Sequence, residues 1–257
     1  MTILRSLILS LAMFTRIPMP TFDWERTNMR YVLACLPLVG ILITLLLYLW
    51  QWLCTLMAAN EILFAAGLLL IPILLTGGIH LDGFCDTTDA LSSHASQEKK
   101  LNILKDPHAG AFAVIGLAVY LLAYFALCTQ LPASLTTVGL LGAAAVLSRA
   151  LGALASLTFP SAKSGGILDA FRGAAGKPAI AITATFLLAA LAFMLYLSWP
   201  AALALTAAAL LITLYVRLMS RRQFGGISGD VAGYLIQLIE LGAVCALFIL
   251  QKVLVIL

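Results

Sequence analysis

The chain has 257 residues, of which 63% are hydrophobic and 10% charged, and its mean hydropathy is +1.07. A soluble protein of this length needs a far larger polar surface, so the composition indicates a polytopic membrane protein. A bilayer admits only helices or closed barrels, and the continuous Leu- and Ala-rich runs lack the period-two alternation of strands. We therefore predict an all-α bundle. The net charge of +4 does not indicate nucleic-acid binding, because the basic residues follow membrane topology.

The first 30 residues resemble a secretory signal, with Arg5 ahead of a short apolar run. No small-residue cleavage site follows that run, and Thr15-Arg16-Ile17-Pro18 stands there instead. We expect residues 1–30 to be retained as an amphipathic or re-entrant segment at the membrane surface.

The rest of the chain reads as seven spans of about 20 residues, and we treat residues 1–257 as a single integral membrane domain. The predicted spans are roughly 31–57, 61–79, 109–131, 134–157, 178–198, 201–219 and 231–256.

The connections differ strongly between the two sides of the membrane. One side carries residues 1–30, 80–108, 158–177 and 220–230, and the other carries only short links and the C-terminus. All Lys and Arg residues except Arg149 and Lys252 fall on the first side. The positive-inside rule places that side in the cytoplasm, which predicts a site for cytoplasmic substrates.

An acidic cluster dominates residues 80–108, and we predict that this segment is catalytic. Asp82, Asp86 and Asp89 are spaced i, i+4, i+7 and share one face of a helix. Such like charges repel unless a cation neutralises them, and oxygen-only ligands suit Mg²⁺. The alternative is a solvated acidic helix end. His80 is a candidate phosphate ligand, an acid or base, or a cap at the membrane edge, and Gly77-Gly78 before it predict a break between a span and a short helix.

Two further segments on the same side could bind phosphate. Lys105, Asp106 and His108 directly precede a span, where a helix N-terminus favours anions. Lys105 and His108 are candidate phosphate ligands, and Asp106 is a candidate catalytic residue, as a further ligand or a base; the alternative is an ordinary helix start with a lysine at the membrane edge. A glycine-rich loop opens the last span, and its backbone N–H groups could bind phosphate. In it we single out Gly225, Gly226, Ser228 and Asp230, the last as an N-cap or a further metal carboxylate. A weaker glycine-basic loop comprises Ser164-Gly165-Gly166-Ile167 with Arg172 and Lys177.

Two charges lie within spans, Arg149 and Glu240. Because buried charges in a bilayer are costly and usually paired, we predict that they approach each other, with Gln237 on the same face as Glu240. Arg149 could alternatively reach a substrate phosphate. The glycine- and alanine-rich span around Arg149 is expected to pack centrally.

Taken together, the motifs resemble the bacterial cobalamin synthase family (adenosylcobinamide-GDP ribazoletransferase) over essentially the whole chain. They are, in order, Thr15-Arg16-Ile17-Pro18, Gly77-Gly78-x-His80-x-Asp82-Gly83-x-x-Asp86-x-x-Asp89, Lys105-Asp106 with Gly110, Ser148-Arg149, and Gly225-Gly226-x-Ser228-Gly229-Asp230 followed by Glu240-Leu241. This chain has Pro107-His108 where many members have Ser-Arg. If that arginine binds phosphate in the family, His108 is expected to bind it less strongly or not at all, so we rank His108 below Asp106 as a site residue.

The resemblance implies a Mg²⁺-dependent phosphotransferase of the bacterial inner membrane. Its substrates would be adenosylcobinamide-GDP and alpha-ribazole or its 5'-phosphate, and its products GMP and adenosylcobalamin or its 5'-phosphate. Association with other late cobalamin enzymes is an expectation from the family. The sequence leaves self-association open.

Two other functions remain as alternatives. One is a membrane phosphotransferase that moves a CMP-linked group to an alcohol, which the Gly-Gly-x-His-x-Asp-Gly motif fits poorly. The other is a cation transporter that uses the aspartates as an ion site. Transport favours acid at mid-membrane and polar groups at both faces, whereas this chain holds its acid at one face.

Overall fold

The computed structural model describes residues 2–20, 26–162 and 166–256, and all regular elements within these ranges are helical. This confirms the all-α bundle. The helices are α1 (Thr2–Phe14), α2 (Arg26–Met29), a 3-10 turn (Leu33–Cys35), α3 (Leu36–Leu56), α4 (Glu61–Thr76), α5 (Ile79–Ser92), α6 (Gln97–Ile103), α7 (Ala111–Cys128), α8 (Leu135–Thr158), α9 (Ile167–Ala174), α10 (Lys177–Leu197), α11 (Trp199–Phe224) and α12 (Gly229–Ile256).

Six helical elements in the described ranges are long and apolar enough to cross a membrane, and a bent pair makes a seventh. The six comprise α3 with its preceding turn, α7, α8, α10, α11 and α12. The bent pair is α4 and α5, whose axes differ by 94°. The predicted count of seven therefore agrees with the fold, and the predicted break at Gly77-Gly78 is confirmed: α4 ends at Thr76, a few residues before the expected limit of the span 61–79, and a second helix starts at Ile79.

The break between α4 and α5 is made by two glycines in the left-handed region, Gly77 at φ 66° and Gly78 at φ 80°. A Cβ at Gly77 would lie 2.8 Å from Cγ of Arg16, so the N-terminal segment covers the break. The backbone N–H of Arg16 also donates to the Leu75 carbonyl at 2.8 Å. The chain between α1 and α2 thus helps hold α4 and α5 at their angle.

The long connections meet at one end of the bundle, which we call the loop end and which comprises residues 79–110, 159–162, 166–176 and 220–230. The chain after α8 pairs with the chain before α12 there: Ile227 N–H donates to Pro160 O at 2.8 Å and Ala162 N–H to Ile227 O at 3.0 Å. The segment 80–108, predicted as a loop, is mostly the helices α5 and α6. In the weaker glycine-basic loop, residues 163–165 lie outside the described residues.

Helix α8 forms the centre of the bundle, with 94% of its span buried. Its small residues allow close contact with α3: a Cβ on Gly40 would stand 2.7 Å from the backbone of Val146, and one on Gly142 would stand 2.5 Å from Thr44. This confirms the predicted central packing, because only such residues let two helix backbones approach so closely.

A buried ion pair joins α8 to α12. Arg149 Nη1 donates to Glu240 Oε1, and also to the Ala145 carbonyl at 2.9 Å and Ser148 Oγ at 3.3 Å. Arg149 is fully buried and Glu240 is 6% exposed. One turn before Glu240, Gln237 accepts a 2.6 Å hydrogen bond from the Tyr120 hydroxyl on α7. The predicted approach of Arg149 and Glu240 is confirmed.

We expect Arg149→Met to destabilise the bundle by about 3–5 kcal/mol, because it leaves Glu240 as an uncompensated buried charge. The double variant Arg149→Met/Glu240→Gln should regain part of that loss. Reversible unfolding in detergent measures both values. A single variant as stable as the parent chain would show that the pair does not hold α8 against α12.

Candidate active site at the loop end

The acidic cluster lies on α5 as the spacing predicted. Asp82, Asp86 and Asp89 occupy successive turns of this helix, with Asp82 exposed and the other two half-buried. The helix begins directly after the glycine break, and the N–H of Asp82 donates to the Gly78 carbonyl at 2.8 Å. The break therefore sets where the acidic face starts.

A fourth carboxylate reaches this cluster from the first turn of α12. A Cβ on Gly83 would lie 2.7 Å from the Asp230 carbonyl oxygen, and one on Gly233 would lie 3.0 Å from the His80 carbonyl oxygen. The two glycines let α5 and α12 touch backbone to backbone. Asp86 consequently experiences repulsion from Asp82, Asp230 and Asp89.

The side chain of Asp89, on α5, lies near the start of α7. A Cβ on Gly110, the residue that precedes α7, would come within 2.2 Å of Asp89 Oδ1. The positive end of the α7 dipole and its free N–H groups stabilise a carboxylate in this position. Asp89 therefore has a structural role in addition to any role in the cluster.

The donor set is suitable for a hard divalent cation, since all four cluster members offer carboxylate oxygens. Among the described residues, no group of three or more His, Cys, Asp or Glu side chains already has an arrangement that would hold a metal ion. Asp82, Asp86, Asp89 and Asp230 therefore suit such an ion in the chemistry of their oxygen atoms, and binding it would require the carboxylates to draw together.

The glycine-rich loop has mainly structural contacts. Gly225 ends α11 at φ 78°, and a Cβ on Gly226 would lie 2.3 Å from the Pro160 carbonyl oxygen. The N–H of Gly226 donates to Ser220 O at 3.2 Å, and Ile227 N–H is bonded to Pro160 as described. These N–H groups are thus engaged within the protein, which leaves the first turn of α12 as the part of the loop suited to an anion.

Ser228, and not Asp230, caps α12. Its Oγ accepts from the Val231 N–H at 3.2 Å and donates weakly to Asp230 Oδ2 at 3.4 Å. The N-cap alternative for Asp230 was wrong because the helix starts at Gly229, two residues earlier than that alternative requires. Asp230 is left half-buried beside the acidic face of α5.

The loop before α7 holds three further predicted site residues, Lys105, Asp106 and His108, and all three are exposed. Asp106 Oδ1 accepts from the His108 backbone N–H at 3.0 Å and contacts His108 Nδ1 at 2.8 Å. These bonds lower the pKa of Asp106 below its usual value, the backbone bond being the larger cause. Asp106 and His108 are thus partners of each other, and Lys105 lines the cavity described next.

A cavity of about 510 Å³ opens beside the acidic cluster. Its walls are mostly apolar and come from α1, the 3-10 turn, α5, α6, α8, α9 and α12. The polar and charged side chains on its lining include His80, Asp82, Lys105, Ser228 and Asp230. The cavity therefore adjoins two of the four carboxylates.

His80 stands in the wall of this cavity in an unusual state. It is 4% exposed, its ring stacks on Phe14 of α1 at 5.9 Å, and neither ring nitrogen has a hydrogen-bond partner within the described part of the chain. A buried polar group without a partner costs free energy, so it commonly marks a ligand contact or an absent water.

Arg149 does not line the cavity; its bonds to Glu240, Ala145 and Ser148 favour the structural alternative. Sequence reasoning did not assign Phe14 or Gly233 to the site. Phe14 immediately precedes the Thr15–Pro18 motif, which was a usable signal. Gly233 resembles an ordinary packing glycine of a span, and its place opposite His80 depends on the fold.

Comparisons with known proteins agree with the resemblance. The family model Cobalamin-5-phosphate synthase matches residues 6–248. An adenosylcobinamide-GDP ribazoletransferase of Lachnoclostridium phytofermentans is 39% identical over 98% of this chain and 96% of its own length. Proteins of the same name from Clostridium perfringens (strain SM101) and Geobacillus kaustophilus are 32% and 33% identical, covering 96% and 90% of this chain and 98% and 90% of theirs.

No solved structure matches the chain. The family model and these relatives span nearly the whole sequence. The matched part includes the glycine break between α4 and α5, the acidic helix α5, the glycine-rich loop and the start of α12. The chain belongs to the cobalamin-5-phosphate synthase family.

Proposed function

We propose that this protein is an adenosylcobinamide-GDP ribazoletransferase that joins adenosylcobinamide-GDP to alpha-ribazole or its 5'-phosphate and releases GMP. The observation that carries the proposal is the approach of Asp82 and Asp230, on two different helices, beside a cavity of about 510 Å³. Cavities of roughly 300–1,000 Å³ accept small organic ligands. The relatives' names supply the reaction.

The reaction is a phosphoryl displacement. The acceptor hydroxyl forms a bond to the cobinamide-side phosphorus, the bond from that phosphorus to GMP breaks, and the hydroxyl proton is lost. Negative charge accumulates on the leaving group, so positioning and electrostatic stabilisation carry most of the catalysis. The acidic cluster alone would oppose this charge, which is the reason to expect a cation there.

We propose that Asp82, Asp86 and Asp89, with Asp230 from α12, hold Mg²⁺. Bound there, the ion would stabilise the developing charge on the phosphate oxygens. The all-oxygen donor set and the repulsion at Asp86 support this assignment. Lys105 and the first turn of α12 then offer positive groups to the substrate phosphates.

The proton of the acceptor hydroxyl needs a base within hydrogen-bond reach. A carboxylate of the cluster that is not spent on the metal is one candidate, and His80 is the other. Asp106 is less favoured because it already accepts hydrogen bonds from His108 and because it is exposed to water.

The loop end faces the cytoplasm of the bacterial inner membrane in this proposal. The basic residues near the loop end support it through the positive-inside rule. The transporter alternative is disfavoured by the fold, since the carboxylates gather at one end and the buried charges Arg149 and Glu240 neutralise each other.

Removal of one cluster carboxylate should lower turnover about a hundredfold, the scale for loss of one charge-stabilising group. The assay follows GMP release from adenosylcobinamide-GDP and alpha-ribazole 5'-phosphate in liposomes, with Mg²⁺ titrated. Asp82→Asn and Asp86→Asn are the test variants, and Glu98→Gln, an exposed carboxylate on α6, is the control.

Full activity in both Asn variants would show that these carboxylates are not needed for the reaction, although the protein would still be the proposed enzyme. Activity that does not respond to Mg²⁺ or its chelation would remove the metal. If the folded parent chain released no GMP in conditions where a relative is active, the proposed reaction would be contradicted.

The backbone contact between α5 and α12 gives a second prediction. Gly83→Ala places a Cβ 2.7 Å from the Asp230 carbonyl and must push the helices apart. Displacement of a site by about 1 Å can cost about a hundredfold in rate. We expect Gly83→Ala to lose GMP release on this scale while remaining folded, and Gly173→Ala, where a Cβ meets open space, to retain it.

Sidedness is tested by cysteine labelling with a membrane-impermeant maleimide. Cysteine replaces exposed Lys99 at the loop end or exposed Gln130 at the opposite end. Gln130→Cys should react in intact cells, and Lys99→Cys only in inverted vesicles, with the parent chain as background. The reverse pattern would contradict the proposed topology.

A further inference from the structure

We propose that the apolar cavity binds the planar, uncharged aromatic base of the acceptor nucleoside, and that His80 is the residue that hydrogen-bonds this base. The inference rests on the proposed function and assigns one of its two substrates to a subsite. It begins from an unsatisfied group: His80 is buried in the cavity wall, and both of its ring nitrogens lack partners in the described ranges.

The size of the cavity selects the smaller substrate. About 510 Å³ is in the range of pockets that enclose drug-sized molecules, which matches a nucleoside with a bicyclic base. A corrinoid ring system that carries an adenosyl group and a GDP arm is far larger. The corrinoid ring system must therefore remain largely outside, with its diphosphate brought to the carboxylates.

The apolar lining of the cavity suits the base of the acceptor nucleoside better than its ribose or its phosphate. Apolar side chains of α1, α6, α9 and α12 form most of the wall, and they include Phe14, Leu104, Phe171 and Ile236. An aromatic base gains from burial against such a surface, whereas a phosphate there would lose its water without compensation. A planar heterocycle satisfies both requirements of this cavity.

His80 can supply the directional contact once a bound base opens the packing around its ring, because both ring nitrogens are enclosed in the structure. Because it is buried and unpartnered, its imidazole is expected to be neutral, with one nitrogen as a donor and the other as an acceptor. A benzimidazole-type base has one ring nitrogen not bonded to the sugar, and that nitrogen accepts a hydrogen bond. Stacking of His80 on Phe14 at 5.9 Å fixes the plane of the imidazole ring.

The position of the carboxylates completes the arrangement. Asp82 and Asp230 line the same cavity, so a nucleoside with its base inside directs its sugar hydroxyls to the acidic cluster. Lys105 also lines the cavity and can contact the 5'-phosphate when the acceptor carries one. In this assignment His80 binds substrate and is not the base that removes the proton.

The test measures acceptor binding without turnover. Purified protein in nanodiscs is titrated with alpha-ribazole, without Mg²⁺ or the corrinoid substrate, and the fluorescence of the base reports occupancy. Ala232→Leu fills the cavity from α12, and His80→Phe keeps a stacked ring but removes its hydrogen bonds. Ala118→Leu, at an exposed position on α7, is the matched control. Thermal unfolding confirms that each variant is folded.

We expect the parent chain and Ala118→Leu to bind equally well, and Ala232→Leu to bind more than tenfold more weakly. His80→Phe should raise Kd about tenfold, the scale for an unsatisfied polar group. The loss of affinity in Ala232→Leu should be greater for alpha-ribazole, whose base is dimethylated, than for the riboside of unsubstituted benzimidazole. A purely structural effect of the substitution would not produce this difference.

Kinetics separate the two roles of His80. A binding residue raises the KM for the acceptor and leaves kcat and the KM for adenosylcobinamide-GDP nearly unchanged, whereas a general base lowers kcat at an unchanged acceptor Kd. The second pattern, or equal Kd values in all variants, would overturn the inference.

Native mass spectrometry tests whether the cavity binds a lipid instead of the acceptor. A lipid retained by the parent chain and lost in Ala232→Leu, with an unchanged acceptor Kd, would make the cavity a lipid site and overturn the inference. Failure of the proposed reaction would appear differently, as acceptor binding without GMP release.

Discussion

The site depends on the direct contact of α5 with α12. Both helices lack a side chain where they meet, at Gly83 and Gly233, and each glycine faces backbone of the other helix. This contact brings Asp230 beside Asp82 and Asp86, although they are far apart in sequence. The repulsion that results raises the free energy of the empty site. A bound cation would relieve it, so the fold is arranged to favour a ligand over an empty cluster.

The supporting structure lies deeper in the bundle. Helix α12 can present Asp230 only if its own position is fixed, and two bonds fix it: the ion pair of Glu240 with Arg149 on α8 and the hydrogen bond of Gln237 with Tyr120 on α7. Separation of a buried ion pair is costly because it leaves each charge without a partner in a low-dielectric interior. The same helix therefore carries a chemical end at Asp230 and a structural middle at Gln237 and Glu240, about two to three turns away.

Much of this arrangement could be predicted from the sequence, because hydropathy locates spans and helical spacing locates shared faces. That reasoning predicted the common face of Asp82, Asp86 and Asp89 and the partnership of Arg149 and Glu240. It did not predict the 94° bend, since glycines indicate a break but not its direction. Nor did it predict that Phe14 meets His80, because a tertiary contact between separate helices leaves no periodic signal. The N-cap of α12 was misplaced by the usual uncertainty of a helix boundary.

The combination of an apolar cavity and a carboxylate cluster suggests why this reaction is carried out within a membrane bundle. Charge on the phosphates must be stabilised in a place from which water is largely excluded, because electrostatic interactions strengthen as the local dielectric falls. A helix that follows a sharp break places carboxylates beside the apolar cavity without a long loop, with Asp82 exposed and Asp86 and Asp89 half-buried. The cost is a set of like charges in a half-buried position. Under the proposed function, a bound cation would offset that cost.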